Sequence, residues 1–242
     1  MLENKNLPDL EQELKTSFKN GLTSEDAKLR LARDGENKLE EKKKKSVFRI
    51  FLEQLNNPMI FVLFAAIAIT IGVSIYETVK QGFDFFNVGD WPDVIIILAV
   101  IILNGIIGTV QEVKAQSSLD ALKKLASPES TVIRDGQRIK IRSSELVVGD
   151  VVVLEEGDTI GADLRLIEAI NLKTNESSLT GESVSIEKDA SVVFSDTVAI
   201  GDRVNSAYMS TPVVYGRGQG VVVATGMKTE IGKIAKSLDD EV

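Results

Sequence analysis

Nine consecutive residues, Asn175-Glu176-Ser177-Ser178-Leu179-Thr180-Gly181-Glu182-Ser183, gather carboxylates, hydroxyls and a glycine into one short polar segment. Within it, Thr180-Gly181-Glu182-Ser183 sets a carboxylate in a glycine-containing turn between two hydroxyl residues. Such a loop can present Glu182 outward as a base or as a group that orients water. The same residues suit an ordinary surface turn in which Ser183 caps the next segment, and local physics leaves both readings open. The composition narrows the chemistry further. The chain has no histidine and no cysteine. That excludes Ser-His-Asp catalysis, imidazole acid–base chemistry, thiolate nucleophiles, zinc–thiolate sites and disulfides. Proton transfer is left to Asp, Glu, Lys or Tyr.

Other motifs are weaker. Gly216-Arg217-Gly218-Gln219-Gly220 looks like a phosphate loop, but it leads into Val221-Val222-Val223, which reads as a strand. A nucleotide fingerprint needs a helix whose N-terminus faces the phosphates, so these glycines read as tight backbone turns. Asn104 lies in an apolar run, where it would either touch an ion path or bond a neighbouring helix. With 28 basic and 36 acidic residues the net charge is −8, which speaks against nucleic acid as a partner.

The elements that must position these residues fall into distinct segments. Met59–Tyr76 holds 18 residues without a charge and Val94–Val110 a further 17. As helices each extends roughly 26 Å, enough for the apolar core of a bilayer, so the pair reads as a transmembrane hairpin. Lys42, Lys43, Lys44, Lys45 and Arg49 precede the first run, and Lys114, Lys123 and Lys124 follow the second. The connecting stretch Glu77–Asp93 carries Glu77, Asp84, Asp90 and Asp93 against Lys80. The positive-inside rule therefore puts both long polar segments in the cytoplasm, with Tyr76 and Trp91 at the outer interface. Ahead of the spans, Ser24–Leu39 reads as a helix capped by Ser24, apolar at Ala27, Leu29 and Leu31, and stopped by Gly35. Val47–Leu55, with Phe48, Phe51, Leu52 and Leu55, reads as an interfacial lead-in, and Gln111–Leu125 as a helical stalk.

After Pro128 the pattern changes to period two. Thr131–Arg134 and Gln137–Ile141 flank Asp135-Gly136, a two-residue hairpin signal. Val147–Leu154, Asp163–Ala169, Ser191–Ile200, Val213–Tyr215 and Gly220–Ala224 read as further strands, with turns at Gly149-Asp150, Gly157-Asp158 and Gly201-Asp202. The expected fold is a membrane α part joined to a cytoplasmic all-β domain, a sandwich or distorted jelly roll.

Taken together, these segments resemble the N-terminal part of the P-type ATPases, cation pumps that work through an aspartyl-phosphate intermediate. Thr180, Gly181, Glu182 and Ser183 match the signature loop of that family's actuator domain. Gly157-Asp158 with Ala162-Asp163-Leu164-Arg165-Leu166 follows its Gly-Asp-x-x-Pro-Ala-Asp-x-Arg pattern, and Leu146–Val152 resembles the element before it. Gly216–Ala235 resembles the segment leading to a third membrane helix, and Asn104–Leu125 the second helix and stalk. Gly35, Asn37 and Leu39 look like the N-terminal element of type II pumps, and Asn56-Asn57-Pro58-Met59 is most like calcium-transporting members. Two departures stand out: Gly161 replaces the usual proline, and Ser210 replaces a glycine before Thr211.

The resemblance implies an N-terminal cation-transporter helical segment (1–45) packed on the actuator, then a lead-in, transmembrane hairpin and stalk (46–126). An actuator β domain (127–232) and the start of a linker to a third membrane helix (233–242) would come next. It implies Glu182 as the group that orients and polarises the attacking water, with Thr180, Gly181 and Ser183 shaping the loop. No metal ligand and no cofactor are expected in this chain; ATP and Mg2+ belong to the complete pump. The implied partners are a bilayer, the pump's phosphorylation and nucleotide domains, and a cation, calcium before sodium, potassium or protons. An Asp-Lys-Thr-Gly-Thr motif does not occur, so the chain reads as an N-terminal piece, inactive alone, of a multi-pass cell-membrane protein. A membrane-anchored β module that recruits another protein is the rival reading; a small channel is disfavoured by the sparse polar residues of the spans.

Overall fold

The computed structural model describes residues 4–40, 45–81, 91–125, 128–196 and 198–240. Lys42–Lys44 and the loop residues 82–90, both used in the topology argument, lie outside them. The chain forms two compact units, one of residues 1–41 with 127–242 and the other of residues 42–126.

The second unit is helical: α3 (Val47–Leu55), α4 (Pro58–Gln81) and α5 (Trp91–Leu125). Ser46 caps α3 by accepting from the Arg49 amide. Gly105 and Gly108 let α3 lie against α5: a Cβ on Gly105 would stand 2.7 Å from the Phe51 ring, and one on Gly108 2.7 Å from Gln54 Oε1. Much of the apolar surface faces outward, including Val62 (69% exposed) and Ile95 (60%). Such a surface is unlike that of a core helix and is stable only in an apolar surround or against a partner. Among the described residues, Val94–Asp120 is long and apolar enough to cross a membrane, while Val47–Leu55 and Pro58–Val73 qualify only as a pair bent by 64°. The expected first run, Met59–Tyr76, lies inside α4, and α5 runs past the second as the stalk was expected to do.

In the first unit, α1 (Leu7–Leu14) and α2 (Ser24–Asp34) precede one antiparallel sheet. Its strands are β1 (Glu129–Arg134), β2 (Gln137–Arg142), β3 (Val151–Glu155), β4 (Asp163–Thr174), β5 (Ile186–Glu187), β6 (Ser206–Ala207) and β7 (Val213–Ala224), in the order β2-β1-β3-β7-β4-β5 with β6 beside β4. Asp135 and Gly136 both have positive φ, 51° and 73°, the geometry the β1–β2 turn requires. Alternation sorts the side chains. Val132, Val152, Leu164, Leu166 and Val222 fill one core, while Ile133, Val151, Val153 and Val221 face the other side. That second face is covered by Leu10 and Leu14 of α1 and by Phe18.

Five sequence expectations need correction, one being Ser191–Ile200, whose described residues form no strand. Thr23, not Ser24, caps α2, accepting from the Asp26 amide; the Ser24 hydroxyl instead donates to Asp135. Leu29 is 63% exposed and outside the apolar face. Val147–Asp150 is a turn closed by the Asp150 carboxylate, so that strand starts at Val151. Gly216–Gly220 is not a turn but the middle of β7, the strand between β3 and β4. There the missing Cβ atoms admit the β4 backbone: one on Gly216 would lie 2.3 Å from Asn171 O and one on Gly218 2.6 Å from Glu168 O.

Asn37 ties the N-terminal segment to the sheet. It is 3% exposed; its amide nitrogen donates to Ser143 O and Gly161 O at 2.8 Å each, and its oxygen accepts from the Gly226 amide at 2.7 Å. Asn37→Leu removes three buried hydrogen bonds, stranding Gly161 O and Gly226 N while Ser143 O keeps the Leu146 amide, and should cost ~3 kcal/mol. Thermal unfolding should shift down by roughly 8 °C; a shift under ~2 °C would remove Asn37 as the tie.

The Gly157–Leu166 motif is also structural. The Asp158 carboxylate accepts from the Glu155 amide, and Asp163 accepts from Met209 N (2.9 Å) and Glu230 N (2.7 Å), the latter opening α7 (Glu230–Asp240). Burial pushes the Asp163 carboxyl from an ordinary 3.8 up to about 6, outweighing those two amide donors. The folded state therefore holds this proton more tightly than the unfolded one. Its stabilisation is complete below pH ~4 and lost as pH rises through ~6, so about 1 kcal/mol should disappear between pH 5 and 7. Asp163→Asn should remove that slope when stability is followed against pH; an unchanged slope would discard the assignment.

Both departures have local counterparts. A Cβ on Gly161 would lie 2.7 Å from Ser130 Oγ and 2.9 Å from Ser143 Oγ, whose hydroxyls pair at 2.7 Å. Ser210 sits at φ 67°, the left-handed region that explains a glycine there.

Candidate functional site

The β4–β5 ladder, Lys173 with Glu187 and Thr174 with Ile186, closes the base of a loop running from Asn175 to Ser185. Asn175 N donates to Pro212 O at 3.1 Å, and its side-chain oxygen accepts from the Ser177 amide at 3.0 Å. One helical turn, α6 (Ser177–Thr180), comes next and stops at Gly181, whose φ of 77° is the left-handed C-cap that glycine favours. Glu182 begins where the helix ends, and an added Cβ on Gly181 would meet only open space.

The loop tip is polar and open. Gly181, Glu182, Ser183 and Val184 are exposed, and the Glu182 carboxylate has no hydrogen-bond or ion-pair partner among the described residues. Its backbone is nonetheless held: Glu182 N donates to Thr180 Oγ1 at 3.2 Å, and that hydroxyl donates to Glu176 O at 3.1 Å. The Thr180 methyl packs toward Gly201, where a Cβ would stand 3.2 Å away. Thus the structure brings Thr180, Gly181, Glu182 and Ser183 together on one turn, with the carboxylate directed at solvent and the turn fixed from beneath.

Beneath it lies a feature that sequence reasoning missed. The side chains of Glu176 and Lys188 are both fully buried, with Nζ 2.5 Å from Oε1. Thr174 Oγ1 donates to the same Oε1 at 3.0 Å, and the Lys188 ammonium also lies 5.6 Å from the centre of the Tyr208 ring. Burial pushes the Glu176 carboxyl up and the Lys188 ammonium down, while each partner pulls the other back. The only sequence signal for this pair was a lysine immediately after Ile186-Glu187, facing inward by strand alternation.

Few other groups here could do chemistry. Among the described residues no three acidic, histidine or cysteine side chains converge as a metal site. Gly216–Gly220, being strand, offers no phosphate cradle. What the arrangement can do is present one carboxylate from a braced backbone at the tip of an exposed loop, to act on something brought to it.

Residues 124–239 match the family model of the P-type ATPase actuator domain, and residues 2–70 that of the cation transporter/ATPase N-terminus. Calcium-transporting ATPase 1 of Bacillus cereus is 44% identical over 94% of this chain. A sodium/potassium exporting P-type ATPase of Schizosaccharomyces pombe and the calcium-transporting ATPase of Bacillus subtilis are each 43% identical over 96% of it. The chain spans 24%, 21% and 24% of the lengths of these three relatives.

Proposed function

The chain belongs to the P-type ATPase family, and from that premise we propose that its Thr180–Ser183 loop promotes hydrolysis of an aspartyl phosphate carried by another domain of a cation pump. The observation that carries this reading is the loop: an unpartnered carboxylate on a backbone braced from below. Glu182 orients a water molecule and accepts its proton as the oxygen attacks phosphorus. A phosphorus–oxygen bond forms to water, the bond to the aspartyl oxygen breaks, and the aspartate leaves as a carboxylate. Thr180 fixes the Glu182 backbone, Gly181 supplies the left-handed turn, and Ser183 shapes the exposed rim.

ATP and Mg2+ are assigned to the phosphorylating part of such a pump. The helices α3 to α5 are assigned to the membrane as the lead-in and first two spans, with both ends cytoplasmic; their outward apolar side chains and the flanking lysines support this. Calcium is the proposed ion, on the likeness of Asn56-Asn57-Pro58-Met59 to calcium pumps and on relatives that carry that name. The sodium/potassium exporting relative keeps the alternative ion in view, and phosphoenzyme formation stimulated by calcium alone is the expected outcome. Phosphoenzyme decay in Glu182→Gln tests the reading as a whole; decay at the parent rate overturns it.

A further inference from the structure

The Asn175–Ser185 loop has no hydrophobic core of its own: among its residues, Glu176 alone is buried, and its charged side chain rests on Lys188. A buried ion pair is a weak stabiliser, because desolvation of two charges roughly cancels their attraction; here the Thr174 hydroxyl supplies the directional bond to Glu176, and Lys188 Nζ faces the carboxylate as a charge 2.5 Å away. Apolar side chains of similar size would fill the space without that direction. The location of this pair is therefore the informative feature.

Glu176 is held by its side chain and holds the loop by its backbone. Its Oε1 receives the Lys188 ammonium and the Thr174 hydroxyl, so the residue is anchored to the last position of β4 and to the residue following β5. Its carbonyl oxygen accepts from Leu179 N (2.9 Å), Thr180 N (3.0 Å) and Thr180 Oγ1 (3.1 Å). Thr180 Oγ1 in turn accepts from Glu182 N at 3.2 Å. An unbroken series of contacts thus runs from a buried charge pair to the backbone of the exposed carboxylate. Lys188 is fixed independently, its amide donating to Leu172 O at 2.8 Å and its ammonium facing Tyr208, whose hydroxyl donates to Ile200 O in the turn beside Thr180.

Resting on the function proposed above, we infer that Glu176 and Lys188 are positioning residues for dephosphorylation: the pair sets the height and orientation of the Thr180–Ser183 turn and acts on the reaction only through Glu182. Neither side chain reaches solvent. Removing the pair leaves the carboxylate present but loosely aimed, and a small misplacement of a catalytic group is enough to slow a step substantially. Formation of the phosphoenzyme does not use this loop and is unaffected.

The experiment compares four forms of the full-length pump carrying this sequence: parent, Glu182→Gln, Glu176→Gln with Lys188→Met, and all three substitutions together. The double variant removes both charges and nearly preserves volume, so neither partner is left as an isolated buried ion. Each form is phosphorylated with labelled ATP, chased with unlabelled ATP, and its decay rate read. The expected result for the double variant is phosphoenzyme at or above the parent level, decaying ~10-fold more slowly. In the Glu182→Gln background the same two substitutions should change the rate less than ~2-fold, since residues acting as one unit are not additive. A merely structural pair would lower the amount of phosphorylated protein without this dependence on Glu182. Parent decay in the double variant, with slow decay in Glu182→Gln, overturns the inference alone. Slowing that multiplies with Glu182→Gln also overturns it. Parent decay in Glu182→Gln overturns the functional reading beneath it. If the double variant is not phosphorylated, Glu176→Gln alone decides, because its amide oxygen can still accept from Thr174 and Lys188: slowed decay supports the inference and parent decay rejects it.

Discussion

On the proposed function, phosphoenzyme carrying Glu182→Gln should form from ATP at the parent rate and then persist, its hydrolysis slowed by ~10²–10⁴-fold, the range expected when a general base or water-positioning group is lost. The amide keeps the size and reach of the side chain, but it cannot take a proton from water and polarises it less. The backbone of the turn is untouched, because Glu182 N still donates to Thr180 Oγ1 and the carboxylate makes no other bond among the described residues that the substitution could break. Protein stability should therefore move by less than ~0.5 kcal/mol, which separates a kinetic effect from a folding one. Ion transport should stall as the phosphoenzyme accumulates. The measurement is decay after a chase with unlabelled ATP in the full-length pump. Equal rates in variant and parent would leave Glu182 as a solvated turn residue.

Arg165→Leu acts on the scaffold instead and should remove much of the sheet's stability, ~4 kcal/mol. Arg165 is 1% exposed, and its guanidinium donates to the carbonyls of Leu166 (2.7 Å), Ala190 (3.2 Å), Asn205 (3.2 Å) and Val192 (3.0 Å). One planar cation thereby binds two segments that make few strand-to-strand bonds of their own. Leucine fills part of the volume but withdraws the guanidinium from all four carbonyls, leaving Val192 O with Asn205 Nδ2 and Asn205 O with Leu166 N. Thermal unfolding should fall by roughly 12 °C. Arg165→Lys should recover only part of this, because a single ammonium cannot fork to carbonyls on several sides. A drop below ~3 °C for the leucine variant would show that the carbonyls find other donors.

Glu182 and Arg165 stand for two kinds of motif residue in one chain. Asp163 and Arg165 belong to a pattern shared with the family, and the structure gives both a role in the scaffold, since Asp163 caps α7 and Arg165 clamps loops. Thr180–Ser183 carries no such role. Its glycine and hydroxyls shape a turn, and its carboxylate is left over. A residue whose chemistry is unused by the fold is where function is best sought.

What the sequence by itself determined is what depends on neighbours along the chain. The uncharged runs fall within α4 and α5, because helix formation and apolar length are local properties. The Asp135-Gly136 hairpin was legible because only a few residues tolerate two successive positive φ angles. The polar loop was legible for the same reason, with Gly181 in the left-handed region. Tertiary structure alone decided the rest. Ser191–Ile200 alternates like a strand, yet its described residues form none: side chains take two of its carbonyls, Asn205 and Arg165 bonding Val192 O and Arg203 bonding Val198 O, where a ladder would have used backbone amides. Gly216–Gly220 reads as a turn because glycine erases the period-two signal, and only the close approach of β4 makes it strand. Glu176 and Lys188 look like two more surface charges until β4 and β5 pair and bring them together, since the cost and the direction of a buried charge exist only after water has been excluded.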